Sequence, residues 1–220
     1  VKAKLAAALV VAGAGFAACN VQVTPDGTAY AYTVPTPGTV VISAPSTTGS
    51  NDREFLWSST GLTESNSTAC GTFTMDNATD QPGVAFRVQD LAGVTTGITV
   101  TQNIYGYVRN QFNFHTWDTS RSGVFAEFGS TTINALPEFD IDSGESICAQ
   151  VTGNVIQFVV WLPGATQPPW GDPTWGGQAT LPTNAPTTGQ TGFYAGHVPA
   201  GDSMTYTNLT VDGATNNPIS

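Results

Sequence analysis

The chain has 220 residues, of which only 10% are charged and 40% hydrophobic, with 24 glycines and 14 prolines; that is length for one all-β domain and a composition of short strands and turns rather than surface helices. Its formal charge is −10, with 16 acidic residues against six basic ones. Such a surface repels phosphate backbones and anionic headgroups, so nucleic-acid binding and electrostatic membrane attachment are excluded, and neutral polar ligands or divalent cations are better suited.

Val1-Lys-Ala-Lys4 is a short basic start, Leu5 to Phe16 is an apolar run, and Phe16-Ala-Ala-Cys19 closes it. The pattern is that of an export leader, too short for a stable membrane-spanning helix. A valine at position 1 fits a bacterial GTG start codon. The Ala-Ala-Cys ending resembles a bacterial lipobox, although Phe16 stands where Leu or Val is usual. The resemblance implies that Cys19 becomes the lipid-modified first residue of the mature chain, anchored to the outer side of the cytoplasmic membrane. The alternative is an ordinary signal peptide cleaved nearby, a secreted product and Cys19 as an odd thiol.

If Cys19 carries lipid, Cys70 and Cys148 remain as an even pair in an oxidising compartment, and a structural disulfide is expected. It would close a long loop, worth about 4 kcal/mol in the chain-entropy model. Neither a Cys-x-x-Cys motif nor a nearby His favours metal or redox chemistry.

Residues 20–38, rich in Pro, Thr and Gly, are expected as a tether, residues 39–213 as the folded domain and residues 214–220 as a tail. Within the tether Thr28 to Val34 has strand-like composition, but Thr39-Val-Val-Ile-Ser43 is the better first strand. Glu54 to Ser58, Ala69 to Met75, Gly83 to Gln89, a long strand from Ile98 to Val108, Asn113 to Asp118 and Val124 to Phe128 follow at nearly even spacing. Short strands separated by turn residues are the pattern of a two-sheet antiparallel sandwich.

Pro137-Glu-Phe-Asp-Ile-Asp-Ser-Gly-Glu145 holds the densest carboxylates. In an extended segment Glu138, Asp140 and Asp142 would stand on one face. They read as a solvated turn, as a hydrolytic carboxylate set, or, with Asp140, Asp142 and Glu145, as a calcium site built from hard oxygen ligands. His115 and His197 have no partner at zinc-ligand spacing and no Gly-x-Ser-x-Gly elbow accompanies them, so both read as hydrogen-bonded structural residues.

Ser146 to Thr152 and Val155 to Leu162 flank Gly153-Asn154, a tight antiparallel hairpin. Ile156, Phe158, Val160 and Leu162 would face one side and Val155, Gln157, Val159 and Trp161 the other, so both faces are apolar enough to be covered. After this come Trp161-Leu-Pro-Gly164, Pro169-Trp170, Gly192-Phe-Tyr-Ala-Gly196 and the final Asn208-Leu-Thr-Val211. That order resembles the closing strands of bacterial laminin-G-like, concanavalin-type β-sandwiches. The resemblance implies a jelly-roll fold that hosts lectins, glycan hydrolases and inert spacers alike.

Function is therefore read from side chains. A sugar offers apolar C–H faces and a ring of hydroxyls, which suits aromatic platforms beside polar groups. Trp170-Gly-Asp-Pro-Thr-Trp175 has that composition, and Trp170, Asp172, Trp175 and Tyr194 are the expected ligand residues, with Trp161 in the core. Laminarinase-like hydrolases of this sandwich use a Glu-x-Asp-x-Glu strand. Here the third carboxylate is the shorter Asp142, so Glu138 is expected to lack a working acid partner. The leading expectation is a non-catalytic envelope lipoprotein that binds a glycan or an envelope protein and needs no cofactor. The alternatives are a laminarinase-like hydrolase and a structural spacer of a membrane complex.

Overall fold

The computed structural model describes residues 18–58, 63–105, 108–136 and 143–212. They form an all-β sandwich of two antiparallel sheets. In chain order the strands are β1 (Ala18–Thr24), β2 (Ala31–Thr36), β3 (Thr39–Ser43), β4 (Arg53–Ser58), β5 (Ser67–Met75), β6 (Gln81–Leu91), β7 (Val94–Gln102), β8 (Gln111–Asp118), β9 (Phe125–Thr132), β10 (Ser143–Thr152), β11 (Val155–Trp161), β12 (Gly176–Thr180), β13 (Gln190–Gly196) and β14 (Ser203–Val211). The front sheet runs β1-β4-β13-β6-β7-β8-β9 and the back sheet β12-β11-β10-β5-β14-β3-β2.

Alternation along each strand fills the space between the sheets. On β5, Ala69, Phe73 and Met75 point inward while Thr72 and Thr74 face out; on β8, Phe112 and Phe114 point inward. Phe112 and Phe114 meet Phe158 of the back sheet with ring centroids 4.9 and 5.7 Å apart. Tyr206 crosses the core from β14, accepting from the Gly83 amide at 2.8 Å and donating to the Tyr194 carbonyl at 2.6 Å. That hydroxyl satisfies front-sheet backbone groups that burial would otherwise leave unpaired.

Residues 20–38 are not the expected tether. β1 joins the edge of the front sheet in register with β4, from Ala18↔Ser58 to Gln22↔Glu54, and β2 pairs with β3. Buried polar groups hold this segment. Glu54 and Asp52 are both fully buried, and Glu54 accepts from the Asn20 side chain at 2.9 Å and the Tyr30 amide at 2.6 Å, while Asp52 accepts from Gln22 at 3.0 Å. Burial pushes the Glu54 carboxyl up to about 7 and raises Asp52 as well. Val21 and Val23 alternate against the front sheet, a strand signal hidden by the surrounding Pro and Thr.

Two smaller expectations also shift. The long strand expected to Val108 stops at Gln102, because the Asn103 side chain accepts the Tyr105 amide at 3.0 Å and turns the chain. Trp161 is half-buried on the outer side of β11 rather than in the core. Trp175 instead packs, partly buried, against the core between the sheets.

Cys70 and Cys148 are direct partners across β5 and β10 and form a disulfide spanning 78 residues. Replacing both by serine is expected to lower the unfolding free energy by about 2–4 kcal/mol in urea titration. A change below 0.5 kcal/mol would contradict that role.

Candidate functional site

The front sheet is strongly concave. From β4 to β9 there are five strand steps, which in a flat sheet would span about 24 Å. Yet the Arg53 guanidinium of β4 lies 5.2 Å from the Phe125 ring centroid of β9, and Phe55 of β4 meets Trp117 of β8 at 5.7 Å. The outward positions of β7, opposite Trp117, His115 and Asn113, are correspondingly small: Gly97, Thr99 and Thr101. A Cβ on Gly97 would come within 2.8 Å of the Phe55 ring, so that ring can lie across the sheet only over glycine.

Half of the concavity is filled by its own side chains. Phe55, Trp57, Val88, Trp117 and Tyr194 are buried together on this outer face. The other half is open, a cavity of about 330 Å3 lined by Arg53, Gln81, Asn113, His115, Trp117, Phe125, Glu127 and Tyr194, with Asn51, Asn103, Tyr105 and His197 at its rim. Tyr105 is 88% and Phe125 43% exposed, so two flat rings flank the opening.

β8 supplies the working face. Asn113, His115 and Trp117 are alternate residues and project to one side, opposite Phe112 and Phe114. The Trp117 indole donates to Thr99 at 2.9 Å, which fixes the ring as a wall. Asn113 donates to Glu127 at 3.4 Å, and His115 Nε2 lies 4.0 Å from the same carboxylate. Burial, helped by Arg53, pushes the His115 imidazole down to about 4. It is therefore neutral at pH 7 and forms no ion pair with Glu127.

Three buried polar atoms on this face lack a protein partner: Asn113 Oδ1, His115 Nδ1 and Thr101 Oγ1. Thr101 sits directly opposite Asn113 across the β7–β8 ladder. Each such atom costs about 1–3 kcal/mol until something bonds it. Asn113 and His115 line the half-open cavity and Thr101 lies beneath it, and unpaired groups so placed point to a ligand with hydroxyls.

Of the sequence-predicted ligand residues, only Tyr194 reaches this groove. It is buried and its hydroxyl donates to Gln81 at 2.7 Å, so it is floor rather than contact surface. Trp170 is 36% exposed in the loop after β11. Asp172 caps that loop by accepting the Thr174 amide at 2.8 Å. Beside it lies a separate cavity, reached from β12 and the inward-facing Thr131 of β9, on the other side of β9 from the groove. Glu138, Asp140 and Asp142 lie outside the described residues.

Glu145 is 2% exposed, not the solvent-facing turn carboxylate expected. It accepts from Gln102 at 3.2 Å and sits beside the buried Arg109 guanidinium. Among the described residues no three His, Cys, Asp or Glu side chains converge as a metal-ligand set.

The groove was missed because its polar residues are spread over β4, β6, β8 and β9. One signal was available. Asn113-x-His115-x-Trp117 alternates polar and aromatic groups on the face opposite Phe112 and Phe114, unlike either a plain solvent face or a second core.

No protein-family model matches this sequence, and no curated protein matches it. Among solved structures it is similar to the carbohydrate-binding module CBM66 from Bacillus subtilis, with a TM-score of 0.54 and 13% identity over 88% of this chain and 95% of the module. A Bacillus subtilis protein of unknown function with a galectin-like fold gives 0.56 and 11% identity over 89% and 88% of the two chains. The exoplasmic/lumenal domain of VIP36, in a form bound to Ca2+ and Man3GlcNAc, gives 0.54 and 12% over 84% and 85%. These likenesses establish the fold as a concanavalin- and galectin-like sandwich.

Proposed function

We propose that the protein is a non-catalytic glycan-binding head of a bacterial cell envelope, taking its ligand in the concave groove of the front sheet. The observation that carries this reading is the pair of groove-lining residues with unpaired buried atoms, Asn113 Oδ1 and His115 Nδ1, in a cavity flanked by the exposed Phe125 and Tyr105 rings. Sugar C–H faces would stack on the rings, sugar hydroxyls would donate to Asn113 Oδ1 and Glu127, and Arg53 and neutral His115 would complete the polar edge. The similar solved structures that bear carbohydrate-binding names support the same reading.

A binding rather than hydrolytic role is favoured by the groove's chemistry. Glycoside hydrolysis needs two carboxyl groups flanking the scissile bond, and Glu127 is the one carboxylate that lines this cavity among the described residues. The closing-strand motifs lead us to the narrower laminin-G-like assignment within the sandwich class. The Cys70–Cys148 disulfide supports an oxidising, exported location. We read Cys19, at the start of β1, as the lipid-bearing residue.

A glycan array probed with the protein, with and without calcium, is expected to return neutral oligosaccharide binders, with no turnover of β-glucans. Turnover abolished by Glu138→Gln would instead restore the hydrolase. An envelope-protein partner or a pure spacer role would leave the array blank. Mass spectrometry of the mature N-terminus is expected to find a diacylglyceryl-modified Cys19, and an unmodified start beyond it would refute the anchor.

A further inference from the structure

The hairpin joining β6 and β7 has an unusual tip. Leu91 pairs with Val94 across a two-residue turn, Ala92-Gly93, whose φ angles are 53° and 79°. A turn with both central residues in the left-handed region favours Asn-Gly or Asp-Gly, because Asn and Asp tolerate that region better than Ala. Here the position is kept apolar. Leu91 is 66% and Val94 36% exposed, and nothing lies within 4 Å of where a Gly93 Cβ would stand. The tip thus projects from the sandwich, and its composition answers to something other than water.

Strand directions say which end of the sandwich this is. β1 enters the front sheet with Cys19 opposite Trp57 and leaves it with Thr24 opposite Arg53. Trp57 lines one cavity together with Val88 and Leu91, so Cys19 and the tip share an end. Arg53 lines the groove with Tyr105 and His197, so the groove opens toward the opposite end. β1 therefore begins at the tip's end, with Ala18 opposite Ser58.

We infer that the Leu91–Val94 tip docks into the lipid bilayer beside the N-terminal attachment, setting the sandwich upright with its glycan groove facing away from the membrane. This rests on reading residues 1–19 as the membrane-proximal leader. The two acyl chains of a diacylglyceryl anchor already hold a protein stably at a bilayer, so a second contact beside it sets the orientation of the head rather than its affinity. The acidic surface makes that second contact apolar, so salt leaves it unchanged.

The test holds the protein on phosphatidylcholine vesicles through the Cys19 thiol coupled to a maleimide-headed phospholipid, so attachment is imposed whether or not the cell lipidates Cys19. Tryptophan probes are placed by Leu91→Trp at the tip and Tyr105→Trp at the groove rim, both exposed positions. The tip probe's added emission is expected to fall at least twofold with brominated acyl chains, and the rim probe's to stay within a tenth. Val94→Trp serves as the second tip probe should Leu91→Trp disturb the turn. No quenching at either tip probe, or equal quenching at tip and rim, would overturn the proposal. Failure of the anchor reading is seen separately, in the mass of Cys19 from cells.

Discussion

Arg109→Met is expected to cost about 3–5 kcal/mol of stability, the loss typical of removing one partner from a buried charge cluster. Arg109 is 2% exposed; it donates to the Ala78 carbonyl at 3.1 Å, the Asp80 carbonyl at 3.0 Å and the Gln102 side chain at 2.7 Å. Burial lowers it only to about 10, so it stays charged at pH 7, beside Glu145 and Asp80. Methionine matches much of the volume but strands those carbonyls and carboxylates without a cation. Burial already raises Asp80 to about 6, and losing Arg109 raises it further. A carboxyl raised on folding favours the folded state most when protonated, so the deficit should be smaller at pH 5 than at pH 8. Urea titrations at both pH values test this, and Arg109→Met combined with Glu145→Gln should recover part of the loss. An equal deficit at both pH values, with no recovery in the double variant, would contradict the account.

Acid is expected to switch off glycan binding near pH 4. His115 is neutral above about pH 5 because burial and Arg53 push it down to about 4. Affinity should therefore be flat from pH 8 to 5.5 and fall about tenfold or more as the imidazole gains a proton in a cavity that already holds Arg53. The same depression affects folding. Between about pH 4 and 6.5 the unfolded chain binds this proton and the folded one does not, so stability drops as pH falls through that window. His115→Asn should flatten the affinity profile, while wild-type affinity unchanged down to pH 4 would remove His115 from the site.

The fold was legible where one physical rule dominated. The Gly153-Asn154 turn, the strand from Thr39 to Ser43 and the buried inner face of β11 follow from turn chemistry and period-two alternation and appear as expected, while the outer face of β11 is covered only at Val159. The Cys70–Cys148 pair followed from counting once Cys19 was set aside. What failed was long-range. Residues 20–38 look like linker because their anchoring partners, Glu54 and Asp52, lie on another strand and only folding reveals them as buried. Glu145 looks exposed after Ser143-Gly144, yet Arg109 draws it inside. The groove depends on curvature, which brings Arg53 and Phe125 together across five strand steps, and no local pattern encodes that distance. Composition favoured the Trp170 to Trp175 loop instead, where Trp175 turned out to be packing.

Calorimetric titration of one array-positive oligosaccharide against three proteins tests the groove most directly: wild type, Asn113→Ala and Trp170→Ala. Asn113 lines the groove and carries an unpaired buried oxygen, while Trp170, in the loop after β11, does not line it. The account predicts that Asn113→Ala weakens binding about tenfold to a hundredfold with unchanged thermal unfolding, and that Trp170→Ala binds like wild type. Binding that survives Asn113→Ala and disappears with Trp170→Ala would contradict it and move the ligand to the loop after β11.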